Sequence, residues 1–172
     1  MNFCYERKIN YYETDRMGVV HHSNYIRFLE ESRSRWMEEL NISMEYLEKL
    51  GYTIPTLEIN CKYKYHVTSG DTIIITPKVT EYNGVRMTVS YEVVDKKTGK
   101  IVIEAWTKHC FTNRELRPIN IKKYNEKIYT IFETQLTETK TKTVIILQFL
   151  KCALEEDIHS RILKKIFNWH KG

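Results

Sequence analysis

The feature that most limits the fold of this chain is a change of hydrophobic period. From Leu57 to Val67 apolar and polar residues alternate, with Leu57, Ile59, Cys61, Tyr63, Tyr65 and Val67 against Glu58, Asn60, Lys62, Lys64 and His66. A period of two sends successive side chains to opposite faces, so this stretch reads as a strand with one dry and one wet face. Between Asn24 and Leu40 the period becomes three and four. Tyr25, Phe28, Leu29, Trp36 and Leu40 share a stripe with Ser32 as a small gap, while Arg27, Glu31, Arg35 and Glu38 point elsewhere. That pattern predicts an amphipathic helix beginning near Asn24.

Other segments extend the reading. Phe3, Tyr5, Ile9 and Tyr11 share one parity, predicting a first strand in which Arg7 is the exception. Ser43 and Gly51 bracket a short helix containing Met44, Tyr46, Leu47 and Leu50. Ser69, Gly70 and Asp71 form a turn, and Asn83-Gly84 suits a tight two-residue hairpin. Val85, Met87, Val89, Tyr91 and Val93 then line one face of a strand, and a last strand runs from Ile101 to about Thr112. The expected class is α+β, an antiparallel five-stranded sheet wrapped around a long helix. Open sheet edges favour pairing with a second copy, so a homodimer or homotetramer is expected.

The domain divisions read from the sequence are 1–130 for the main domain, 131–143 for a threonine-rich linker of low order, and 144–172 for a helical extension. In the extension Leu147, Leu150, Leu154, Ile158, Ile162, Ile166 and Trp169 recur every three or four residues. The predicted helix is about 26 residues, or about 39 Å, although its opening VIIL run also suits a strand. Its stripe needs cover from the sheet, a partner subunit, or a membrane surface at the basic end of Arg161, Lys164 and Lys165.

Composition excludes several classes. A net charge of +5, scattered along the chain, suits an anionic ligand and does not argue for nucleic acid. The four cysteines lack CxxC spacing, which points away from a zinc site or a secreted disulfide framework. The start MNFCYERKIN carries charges and no apolar core, and no run approaches the roughly 18 apolar residues of a membrane span. The expected location is cytoplasmic.

Chemistry concentrates in YYETDRMGVVHHSNY, residues 11 to 25, where a strand leads into a helix. The first turn of a helix has N–H groups without intrahelical partners and favours negative charge. No Glu or Gln stands three residues after Ser23 or Asn24, so no capping box occupies those donors, although a simple Ser or Asn cap would. Gly18 permits a backbone angle or a close approach that would bring Asp15 over the helix start. Adjacent His21 and His22 make a weak metal signal, and no metal site is expected.

Asp15, Gly18, Val20, His22, Asn24 and Tyr25, followed by FLEESR, resemble the amino-terminal motif of the 4-hydroxybenzoyl-CoA thioesterase family of hotdog proteins. The resemblance extends to about Pro118. It implies a hotdog fold, sites at a subunit interface, and hydrolysis of an acyl-CoA or related thioester without metal or cofactor. It also implies that Asp15 is the catalytic carboxylate and that the His22 N–H donates to the thioester carbonyl, with Gly18, Asn24 and Tyr25 shaping the substrate entrance. Asp15 would attack the thioester to give a mixed anhydride, or accept a proton from water. The His22 side chain is a candidate for catalytic assistance.

Some relatives in this fold place the carboxylate on the central helix, which brings Glu30 and Glu31 into consideration. Their spacing to Arg33 and to Arg27 and Arg35 suits surface pairing instead. Lys62, Lys64, Arg86, Lys108, Arg114 and Arg117 are available for CoA phosphates. A non-catalytic acyl-CoA-binding or regulatory hotdog protein, and an enoyl-CoA hydratase, are the alternatives.

Overall fold

The structure is a computed structural model that describes the backbone of residues 3–169 and the side chains of residues 3–148. The chain divides after Leu136 into two compact units. The first holds an antiparallel sheet of five strands, β1 (Tyr5–Lys8), β2 (Thr56–Tyr63), β3 (Thr72–Tyr82), β4 (Arg86–Asp95) and β5 (Ile101–Cys110). Their spatial order is β1-β3-β4-β5-β2. Strands β3, β4 and β5 follow one another as a meander, but β2 does not join β3 across the Ser69–Asp71 turn. It lies outside β5, with Ile59 opposite Thr107 and Tyr63 opposite Ile103. The helices are α1 (His22–Glu39), α2 (Met44–Lys49), α3 (Ile121–Tyr124) and α4 (Glu126–Trp169).

Helix α1 packs on the sheet through the stripe seen in the sequence. Tyr25, Phe28, Leu29, Ser32, Trp36 and Met37 are buried, as are Ile73, Ile75 and Val79 of β3 and Met87, Val89 and Val93 of β4. Each large apolar side chain removed from water contributes about 1.5–3 kcal/mol, so the α1–sheet contact contributes strongly to this unit's stability. Helix α1 begins at His22, two residues before the expected start, because His21 takes the cap position. Helix α2 has the expected ends. The Ser43 hydroxyl accepts from the Tyr46 N–H at 3.2 Å, and Gly51 has a φ of +84°.

Several local expectations are corrected. Strand β1 stops at Lys8, and Tyr11 opens a short 3-10 turn (Tyr11–Glu13) with its ring 84% exposed. Arg7 broke the apolar alternation because it faces inward with Tyr5 and meets a buried carboxylate. The β3–β4 connection has three residues, Asn83 to Val85, with Gly84 alone at positive φ. The Asn83 side chain closes it by accepting from the N–H groups of Val85 and Arg86 at 2.9 and 2.8 Å. A two-residue type I′ turn would need positive φ at both central positions. The expected dry face of β2 is largely open, with Leu57, Ile59 and Tyr63 exposed, because β2 is an edge strand, which meets α1 near the helix start through Tyr63.

The largest correction concerns residues 131–143. The division after Leu136 falls within them, but they are not a segment of low order: α4 runs through them without a break. Threonine hydroxyls that would otherwise compete with helical bonds fold back onto carbonyls four residues earlier, Thr130 to Glu126 and Thr134 to Thr130 at 2.9 Å, and Thr143 to Thr139 at 3.0 Å. The VIIL run is helical as well, and Val144, Ile145, Ile146 and Leu147 are exposed. The side chains of the stripe from Leu150 to Trp169, and Cys152, lie outside the described residues. Among the described residues no helix is long and apolar enough to cross a membrane.

A polar cluster interrupts the core between α1 and the sheet. His109 is fully buried, with Nε2 at 2.6 Å from the Thr107 hydroxyl and Nδ1 at 3.4 Å from that of Thr56. Arg33 approaches both His109 and the Tyr91 hydroxyl at 3.5 Å. Burial, then the Arg33 charge, push the imidazole down to about 3. Below about pH 6.5 the unfolded chain takes up a proton that the folded chain refuses until about pH 3, so stability falls as pH drops through that window. The expected slope is up to about 1.4 kcal/mol per pH unit. Urea midpoints at pH 7, 5.5 and 4.5 check it. An equally steep acid loss in His109→Gln would assign the effect elsewhere.

Candidate active site

The loop between the 3-10 turn and α1 is closed on itself by main-chain bonds. Asp15 N–H donates to the Val19 carbonyl at 2.9 Å, and Gly18 N–H donates to the Asp15 carbonyl at 2.9 Å. Thr14 bridges Val20, Val19 bridges Thr68, and Val20 N–H donates to the Val67 carbonyl at 3.0 Å, so the loop is sewn to the segment following β2. Gly18 sits at φ +77°, and a Cβ there would meet nothing within 4 Å. Its role is therefore the backbone angle, since among the described residues no close approach uses the missing side chain.

This frame presents Asp15 half-buried. Its Oδ1 accepts from the Met17 N–H at 2.7 Å, and among the described residues no protein donor lies on Oδ2. One oxygen is fixed and the other is available to a reactant.

The start of α1 is held by two bonds to one acceptor. The Glu13 carbonyl accepts from the His21 N–H at 2.9 Å and from the Asn24 side-chain amide at 2.8 Å. Asn24 thus fixes the entrance from behind and does not line it. Asn24 N–H turns back to the His21 carbonyl at 2.9 Å. His21 Nδ1 contacts the Ser23 hydroxyl at 2.8 Å and receives the Ser23 N–H at a long 3.4 Å. The N–H of His22, at the first helical position, has no intrahelical acceptor. Its carbonyl accepts from the Tyr63 hydroxyl at 3.2 Å.

Asp15, His22 and Tyr25 line one cavity of about 340 Å³, together with Met17, Val19, Val20, Tyr63, Lys64, Tyr65 and His66. Gly18 and Asn24 act on its frame. Burial first, with Cys61 and Tyr63 nearby, pushes the Tyr25 phenol up to about 12, so it is a neutral wall of the site. Burial likewise raises Tyr63 and Cys61. Tyr63, Tyr65 and His66 were visible in the sequence only as members of an alternating strand. The bridge from Val19 to Thr68 that brings their segment to Asp15 is long-range and leaves no local signal.

The other expected side chains lie elsewhere. Glu31 pairs with Arg7 at 2.7 Å, not with Arg27 or Arg35, and Arg35 pairs with Glu38 at 2.9 Å. Arg33 turns inward to the His109 cluster and away from Glu30. Glu30 and Glu31 border a larger groove of about 720 Å³ on the β1 side of α1, which holds none of Asp15, His22 and Tyr25. Its walls are charged, and several of those charges are already paired. Of the lysines considered for phosphate, Lys64 borders the site but pairs with Glu104 at 3.0 Å, and Lys108 pairs with Glu58 at 2.9 Å. Among the described residues no group of three His, Cys, Asp or Glu side chains is placed to hold a metal ion.

Residues 9–138 match the thioesterase-like superfamily. The chain belongs to that superfamily. The Bacillus subtilis putative acyl-CoA thioesterase YneP is 30% identical over 129 residues, spanning 74% of this chain and 93% of YneP. A putative esterase of Aquifex aeolicus is 34% identical over 110 residues, spanning 64% and 84%. The crystal structure of a DHNA-CoA thioesterase from Staphylococcus aureus superposes with a TM-score of 0.76 at 24% identity, covering 81% of this chain and 93% of that one, and it shows the fold alone. The five-stranded sheet with α1 laid across it is thus the hotdog fold, and the protein is a thioesterase-like enzyme of that class.

Proposed function

We propose that this thioesterase-superfamily member hydrolyses acyl-CoA to a free carboxylic acid and CoA, with Asp15 as nucleophile or general base. The observation that carries the reading is the shared cavity: a carboxylate residue with one uncommitted oxygen and the first residue of a helix line the same space. A thioester carbonyl placed at the His22 N–H gains a hydrogen-bond donor as negative charge grows on its oxygen. Such a donor contributes about 3 kcal/mol to the transition state, or about a hundredfold in rate. Asp15 then attacks the carbonyl carbon, giving an anhydride and a thiolate, and water hydrolyses the anhydride to the free acid and the restored carboxylate; or Asp15 removes a proton from a water that attacks the carbonyl directly. In both routes the C–S bond breaks and the sulfur leaves with CoA. His22 lines the same cavity, and in this reading its ring supplies the thiolate's proton.

A panel of acyl-CoA thioesters, short, long and aromatic, read by thiol release tests the reading. Turnover of at least one class is expected, and a flat response across the panel at saturating concentrations would sink it. Cys4, Cys61 and Cys110 are free thiols, in keeping with a reducing, cytoplasmic setting.

The active form in this proposal is a dimer joined along β2. Leu57, Ile59 and Tyr63 stand exposed on an edge strand, an arrangement that an isolated soluble chain usually blunts. Sedimentation should give twice the chain mass for the native protein and the chain mass for Ile59→Lys. An Ile59→Lys protein that still sediments at twice the chain mass would refute pairing through this strand.

A further inference from the structure

Among the described residues the buried carboxylates are Glu13, 4% exposed, and Asp95, 6% exposed. Asp95 caps its own turn by accepting from Lys97 N–H and the Thr98 hydroxyl. Glu13 also caps its own turn through the Asn10 N–H, but it reaches beyond that turn to a second element. Its two carboxylate oxygens receive the Arg7 guanidinium as a fork at 2.5 and 2.8 Å, and one also accepts the Asn10 N–H at 2.8 Å. Burial would raise its pKa, but the Arg7 and Asn10 hydrogen bonds outweigh burial and hold it below the usual carboxylate range. Arg7 is fixed in turn, stacked 3.8 Å over the Phe28 ring and bonded to Glu31 at 2.7 Å.

What the pair holds is the site. The Glu13 carbonyl carries both bonds to the start of α1, from His21 N–H and the Asn24 amide, and Asp15 follows Glu13 by two residues. The side chain is tied to β1 while the main chain is tied to the helix. Net stability is a poor reason for such an arrangement, since a buried ion pair contributes little over an apolar pair of the same volume. What a forked ion pair adds is direction.

We propose that Glu13 is a positioning residue for thioester hydrolysis, its ion pair with Arg7 fixing the separation between the Asp15 carboxylate and the His22 N–H. This rests on the reading of Asp15 and His22 given above. Misplacement of reacting groups by about 1 Å costs up to about a hundredfold in rate, so loosening this tie acts on kcat before it acts on binding.

The test uses the full-length protein and thiol release from whichever acyl-CoA it turns over. Glu13→Gln keeps size and loses charge; Arg7→Lys keeps charge and loses the fork. Each is expected to lower kcat by about tenfold with KM within about twofold, at a temperature where unfolding curves show the variant folded. The double variant is expected to lose no more than the worse single one, as for two halves of one device. If Glu13→Gln does not fold, Arg7→Lys decides. Variants that unfold earlier yet keep the parental kcat while folded would reduce the pair to a structural role and overturn the inference. Asp15→Asn is measured alongside: an inactive Asp15→Asn beside fully active Glu13→Gln and Arg7→Lys overturns positioning alone. A fully active Asp15→Asn overturns the underlying assignment.

Discussion

Asp15→Asn is expected to lower kcat for thiol release by at least about a hundredfold while KM stays within about threefold. Asparagine keeps the shape and can still accept the Met17 N–H through its side-chain oxygen, so the loop geometry persists. It cannot attack a thioester or take a proton from water, and both candidate routes fail together. The loop owes its form to main-chain bonds among Asp15, Gly18 and Val19 and to its bridges with Val67 and Thr68. The unfolding midpoint should therefore hardly move, which separates lost chemistry from lost structure. Steady-state kinetics on the acyl-CoA with the highest turnover makes the measurement. An asparagine variant within threefold of the parent would remove Asp15 from the mechanism.

Phe132→Ala is expected to destabilise the first unit by about 3–5 kcal/mol, the cost of deleting a fully buried aromatic ring and leaving a cavity. Phe132 is wholly buried, with its ring centroid 5.5 Å from Phe111, 5.8 Å from Tyr82 and 6.1 Å from Trp36. The first turns of α4 thus close one end of the space between α1 and the sheet, with Ile128 buried beside them. A side chain in an exposed connecting segment would change stability by no more than about 0.5 kcal/mol. Urea unfolding distinguishes the two, and a shift that small would mean that the aromatic cluster does not form in solution.

That residue also marks what could be read from the sequence. The α1 stripe, the β4 face and the ends of α2 follow periods of two or 3.6 and local capping chemistry, and the structure has them where the residues put them. The helix around Phe132 is hidden in the sequence because threonines at about four of every ten positions weaken a helical pattern, and their back-bonding to carbonyls is invisible in a residue list. The place of β2 outside β5 was equally hidden, since alternation specifies faces and not neighbours. At the site, Asp15, His22 and Tyr25 emerged from a contiguous motif. Tyr63, Tyr65 and His66 join them through pairing between distant segments. The partner of Arg7 was within reach: an arginine on an inward parity needs an acid, and Glu13 was among those nearby.

The hydroxyl of Tyr63 reaches from the sheet's open rim to the carbonyl of the residue whose amide is assigned to the substrate. Whatever settles on that rim therefore bears, through Tyr63, on the first turn of the helix whose entrance is assigned to the reacting carbonyl. In a protein joined there as proposed, dilution below the dissociation constant would silence the chemistry along with the assembly. The observed rate would then climb with the square of protein concentration, not in proportion to it.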